Sequence, residues 1–162
     1  MNTKIMLVLG VLVLGLLNFS IFQNERILDS GEIVLLELAP VDPRSLMQGD
    51  FMRLRYAVER EASKISTETT PASGFLIVRP DEMNVGRLVG FSDAAKPRDE
   101  DRLVRYHLSY NRVRVAPDAF FFQEGQAEQY ETAKYGVFKF AASGKHLLVG
   151  LADETGKTIL AE

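Results

Sequence analysis

The 162 residues include no cysteine and only two histidines, His107 and His146. Without cysteine there are no disulfides, no thiolate catalysis, no cysteine-based zinc site and no lipidated thiol. A body outside the cytoplasm would then rest on packing and hydrogen bonds alone. Roughly 140 residues can supply that, because chains of this size bury about two-thirds of their unfolded surface. Neither histidine lies in an HxH or HExxH spacing, so each reads as a structural or exposed ring rather than a metal ligand. No run of Lys or Arg builds a basic tract, and 19 basic against 22 acidic residues leave a net charge of −3. Nucleic acid is not an expected partner. Glycine-rich phosphate loops and a GxSxG nucleophile elbow are missing too. Asp99-Glu100-Asp101 lacks the alternating ligands of a calcium loop and reads as a solvated cluster flanked by Lys96, Arg98 and Arg102. The expectation is a protein that is not an enzyme and carries no cofactor.

Charge is absent from residues 5–22, IMLVLGVLVLGLLNFSIF. Eighteen residues of helix rise about 27 Å, enough to cross a hydrocarbon core of about 30 Å with little tilt. Lys4 precedes the run, while Glu25, Arg26 and Asp29 follow it. The positive-inside rule then puts the N-terminus in the cytoplasm and the rest of the chain outside. Phe19 to Asn24 offers no pair of small residues spaced as A-x-A, which favours an uncleaved anchor over a signal peptide. Residues 1–25 are therefore expected to form a membrane anchor and residues 26–162 an extracytoplasmic domain.

After residue 30 the pattern turns to strands. Glu32 to Ala39 is an apolar run of strand length, stopped by Pro40. Met52, Leu54, Tyr56 and Val58 alternate with Phe51, Arg53, Arg55 and Ala57, which makes a second strand and a hairpin with the first. Residues 61–73, rich in Ser and Thr, read as a surface loop. Gly74–Arg79 and Arg87–Phe91 make two short strands, and Ser92–Asp101 a further loop. Arg102–Tyr110 alternates with Val104, Tyr106, Leu108 and Tyr110 on one side, and a slip in phase marks a bulge or bend near Asn111. Residues 123–134 make the soluble helix, and three strands at 137–141, 147–152 and 158–160 close the chain as a meander. The fold class is α+β, mainly antiparallel β, with an N-terminal transmembrane helix before one compact β-rich domain that has one short helix.

Between the first two strands lies DPRSLMQGDFMRLRY. Pro43 fixes φ and moves Asp42 out of the helical region, where its carboxylate suits the start of a helical turn at Arg44. Gly49 ends that turn at no cost, and Asp50 suits a bond to neighbouring backbone before the strand. The same geometry would present Arg44 or Asp50 to a partner. Arg53, Arg55 and Arg60 suit an anion or a partner's carboxylates, or simply a solvated face that blunts aggregation.

These residues also carry a family pattern. GDFMRLRY at 49–56 resembles the signature of the GDYXXLXY family of bacterial membrane-associated proteins, whose function is not established. Gly49, Asp50, Leu54 and Tyr56 fall on its positions, while Phe51 replaces a tyrosine and so removes a hydroxyl. The resemblance extends over Pro40 to Arg44 and, downstream, over Glu124-Gly125, Tyr130 and the closing meander. It implies the cytoplasmic membrane of a bacterium, a periplasmic body and an integral membrane protein as partner. Asp42, Pro43, Arg44, Gly49, Asp50, Phe51, Leu54 and Tyr56 become the candidate motif and interaction residues. The leading expectation is a membrane-anchored accessory domain. The alternatives are a module binding a small ligand or an envelope polymer, with Tyr106 and Tyr110 as a possible aromatic pair, or an inactive relative of a signal-peptidase-like fold. In that last alignment the nucleophile position falls on Val41 and no lysine lies between Lys4 and Lys64.

Overall fold

The computed structural model describes residues 3–39, 51–67, 69–92, 100–115, 117–141 and 144–160. The chain begins with α1 (Thr3–Ser30), which continues past the apolar run into the body. Then follow β1 (Glu32–Glu37), β2 (Phe51–Arg53), α2 (Ala57–Ile65), β3 (Ser73–Pro80), β4 (Gly86–Ser92) and β5 (Arg102–Ser109). The remaining elements are β6 (Arg112–Val115), β7 (Ala119–Phe121), a single turn α3 (Ala127–Tyr130), β8 (Tyr135–Phe140) and β9 (His146–Ala152). The fold is α+β and mostly antiparallel.

Among the described residues the strands form three sheets, ordered β1-β8-β9, β4-β3-β5-β6 and β2-β7. Val34, Leu36, Phe138 and Leu151 of the first sheet share one buried cluster with Leu76, Val78, Val104, Tyr106, Val113 and Val115 of the second. Period-two alternation places these residues on the inner faces, and their burial drives the two sheets together. A parallel bridge between Leu35 and Val85 joins the sheets directly, with the Leu35 N–H donating to the Asn84 carbonyl at 2.8 Å.

Two of the connections repeat one construction. In Asp81-Glu82-Met83-Asn84-Val85 the Asp81 carboxylate accepts the N–H groups of Met83 and Val85, at 2.9 and 3.0 Å. In Asp153-Glu154-Thr155-Gly156-Lys157 the Asp153 carboxylate accepts those of Thr155 and Lys157, at 2.8 and 3.1 Å. Asn84 and Gly156 take the positive φ that each turn requires, +59° and +80°. Asn and Gly are the residues that adopt it most cheaply.

Several expectations are corrected. Ala57 and Val58 are helical rather than strand, and residues 61–65 helical rather than loop: Val58 and Ala62, one turn apart, bury against the core and carry α2 with them. Over residues 123–134 only Ala127–Tyr130 is helical, and Gly125 at φ +85° bars any extension towards residue 123. β1 pairs with β8 over six residues rather than with β2. Of the expected hairpin, the bridge Leu38–Tyr56 and an Ala39 N–H to Arg55 carbonyl bond of 2.7 Å are present. The third strand of the meander is a single bridge, Ala152–Thr158. The bend near Asn111 is a two-residue hairpin turn with φ +50° at Tyr110 and +57° at Asn111. Tyr110 therefore leaves the Tyr106 face altogether.

α1 meets the body through its last turns. Ile27 is buried, and the Lys139 ammonium donates to the Leu28 carbonyl beside the helix end. Gly31 is required here, since a Cβ would come within 2.4 Å of the Ile27 carbonyl oxygen. In the apolar stretch no residue is covered by the body, and α1 is long and apolar enough to span a membrane. Those properties suit a membrane span and a signal sequence alike.

Candidate cationic cleft

The site is built on α2 and the edge strand β6. A strand edge leaves every second backbone N–H without a ladder partner. On β6 those donors are Val113 and Val115, and side chains of α2 take them. Ser63 Oγ accepts the Val113 N–H at 3.0 Å, and Glu59 Oε1 accepts the Val115 N–H at 2.8 Å. Residues one helical turn apart are spaced about 6 Å along the axis, close to the two-residue repeat of a strand at about 6.7 Å. The helix thus completes the sheet in place of a fifth strand.

Glu59 is 5% exposed, so this cap places a carboxyl group in the protein interior. Burial pushes its pKa above the ordinary carboxylate value; the Val115 N–H, the Arg114 guanidinium, the Tyr56 backbone and Arg55 act in the opposite direction. Arg114 Nη1 lies 3.5 Å from Glu59 Oε2.

Above this carboxyl opens a cleft of about 600 Å³. Arg55, Arg60 and Lys64 line it from the β2–α2 segment, and Arg112 and Arg114 from β6. Arg60 and Lys64 stand one turn apart on α2, and Arg112 and Arg114 share one face of β6. Five cationic side chains and a single carboxyl therefore line one cleft. Among the described residues Arg60, Lys64 and Arg112 make no ion pair. The concentration of positive charge is local, because the chain as a whole carries −3.

Two residues before Arg112, Tyr110 stands at the tip of the β5–β6 hairpin, 99% exposed. A two-residue loop with both φ values positive is the primed turn that fits strand twist, and it favours Asn or Gly. An aromatic residue in that conformation stores strain with no burial to offset it.

The candidate residues divide clearly. Asp42, Pro43, Arg44, Gly49 and Asp50 lie outside the described residues, as does Val41. Leu54 and Tyr56 are in the core, 2% and 0% exposed, so packing is their role. The Tyr56 ring meets Phe138 edge-on at 5.5 Å, and its hydroxyl donates to the Pro117 carbonyl at 2.8 Å. Gly136 makes room for it, since a Cβ there would come within 3.2 Å of the ring. Burial, with the nearby Glu59 and Asp118 carboxyls, raises the Tyr56 pKa so that the phenol stays a donor. Phe51 lies on the opposite, outward face, tilted against the exposed Phe121 ring at 5.7 Å.

These are the signature positions, in the alternation the signature demands. A family model described as GDYXXLXY protein matches residues 13–151. The chain belongs to the GDYXXLXY family. No curated protein and no solved structure matches it. In this GDYXXLXY protein the Leu and second Tyr of the signature are structural, and Arg55, which lies between them, reaches the cleft.

Of the arginine set, Arg55 and Arg60 line the cleft whereas Arg53 does not. Lys64, Arg112 and Arg114 are cleft residues that the sequence reading does not single out, and for the last two their alternation along β6 is the available signal. The histidines line a second opening with Arg105 and Tyr106, between β5 and the start of β9. His146 stacks on Phe140 at 5.1 Å, and His107 is exposed. Among the described residues no three His, Asp or Glu side chains group as a metal site would.

Proposed function

We propose that this protein is a non-catalytic, single-pass protein of the bacterial cytoplasmic membrane, N-terminus inside. Its periplasmic body docks an acidic segment of an integral membrane partner into the cationic cleft. One observation carries the reading: five cationic side chains and a single carboxyl line an exposed cleft of a chain whose net charge is negative. Such a surface attracts carboxylates and suppresses basic partners. Its arginines bind carboxylates in bidentate fashion. Tyr110, fully exposed two residues before Arg112, supplies the large, amphipathic contact typical of interface anchors.

A photo-crosslinking residue at Arg60, irradiated in native membranes, should yield one specific membrane-protein adduct. Combined Arg112→Glu and Lys64→Glu reversal should remove the adduct at unchanged abundance. An adduct that survives the reversal would refute the cleft as the docking site. Reporters fused after residues 30 and 162 test the topology independently. A small anionic ligand is the second reading, favoured by the cleft volume of about 600 Å³, which falls within the usual range for ligand cavities. Thermal shifts of the purified chain with anions and envelope glycans separate the two.

A further inference from the structure

A different cavity, of about 450 Å³, lies where α1 enters the body. Gln23, Arg26, Ile27 and Ser30 line it from the helix, and Phe140 and Lys145 from the β8–β9 hairpin. At 100° per residue those four helical positions fall on one face about 100° wide, while Glu25 and Asp29 fall on the far side. The cavity is therefore lined by two cations and no acid.

Its depth follows from the helix rise. Phe22 closes the apolar run, and residues 23–30 extend about 1.5 to 12 Å beyond it along the axis. A headgroup layer of about 5 to 7 Å begins at the same boundary. Arg26 sits about 6 Å past Phe22 by this count. Its guanidinium lies 5.8 Å from the centre of the Phe22 ring, so it reaches back towards the hydrocarbon edge. Ile27 and Phe140 form an apolar wall beside the two charges, as a glycerol backbone and acyl chain would need.

We propose that this elbow binds the phosphate of an anionic phospholipid headgroup, gripped by Arg26 from the helix and Lys145 from the hairpin. This inference rests on α1 being a membrane span. A guanidinium offers a phosphate two parallel N–H bonds, and an ammonium completes the neutralisation. A lipid held there would tie the hairpin to the helix and set the angle of the body against the membrane.

The full-length chain, extracted in mild detergent and offered equal phosphatidylglycerol and phosphatidylcholine, is analysed by native mass spectrometry. Phosphatidylglycerol should be retained in preference, on the order of thirtyfold for two interfacial cations. The preference should disappear in Arg26→Gln/Lys145→Gln and be halved or better retained in Arg26→Lys. Equal retention of both lipids by the wild type, or an undiminished preference in the double variant, overturns the proposal. Displacement of the lipid by millimolar glycerol phosphate would assign the site to soluble phosphates and overturn the lipid source. An unchanged thermal transition in the variants shows that the body is intact, and Lys145→Gln alone serves where the double variant does not fold. Alkaline carbonate extraction tests the span itself. A chain released to the supernatant refutes the anchor, whereas a retained chain without lipid preference refutes only the elbow site.

Discussion

Glu59 Oε1 accepts the backbone N–H of Val115 at 2.8 Å, across 56 residues of sequence. With the matching Ser63–Val113 bond of 3.0 Å, this contact seals the edge of a four-stranded sheet with a helix. The same contact holds α2 in register with β6 and so brings Arg60 and Lys64 opposite Arg112 and Arg114. The cationic cleft and the sheet edge thus depend on one carboxyl.

Truncating that side chain should be costly. Glu59→Ala leaves the Val115 N–H buried and unpaired, which costs about 1–3 kcal/mol. Chemical denaturation should show the loss, and hydrogen exchange should show the Val113 and Val115 amides deprotected ahead of those of β3. Amides protected as before would mean that the helix does not cap the edge.

Acidity should act through the same group. The folded pKa of Glu59 is raised above its ordinary 4.5, so the folded protein holds the proton more tightly than the unfolded chain. Its contribution to stability is fully present below pH about 4.5 and is lost as pH rises through the folded value. Glu59→Gln removes that dependence while keeping an acceptor for Val115. The stability of wild type relative to Glu59→Gln should therefore fall between pH 4 and pH 8. A rise would mean that Arg114 and the backbone donors outweigh desolvation.

Tyr56 tests the signature. Tyr56→Phe keeps the ring against Phe138 and loses one hydrogen bond to the Pro117 carbonyl, for a cost of about 1 kcal/mol. Tyr56→Ala empties a fully buried site and should cost about 3–5 kcal/mol. Equal effects of the two changes, read by denaturant midpoint, would place the importance of Tyr56 in its hydroxyl.

Tyr110 should separate stability from binding. Tyr110→Asn suits the positive φ and should raise stability by about 0.5–1 kcal/mol. The same change removes the exposed ring and should weaken capture of the proposed partner. A variant that is both more stable and equally well bound would leave the strained aromatic without a docking role.

Several features follow from local pattern alone. Eighteen uncharged residues make a helix whose apolar stretch needs no partner within the chain, so α1 is legible wherever the body lies. Alternation at Met52, Leu54 and Tyr56 is likewise local, and the structure buries all three while leaving Phe51, Arg53 and Arg55 outward. β3, β4 and β5 announce themselves in the same way. The signature is a string of adjacent residues, hence readable without a fold.

Pairings and gatherings are not local. Glu32 and Phe140 become neighbours across more than a hundred residues, and no short-range pattern specifies that register. In the segment at 57–65, Ala57 and Val58 continue the strand alternation while residues 61–65 are polar enough to pass for a loop. The segment is helical because Val58 and Ala62 reach a core made elsewhere, and because Glu59 and Ser63 find unpaired donors on β6. The cleft exists for the same reason: its cations come from stretches some fifty residues apart, which only the docking of α2 on β6 unites. Backbone periodicity thus decided which residues face in or out, while long-range burial and edge capping decided which of them meet.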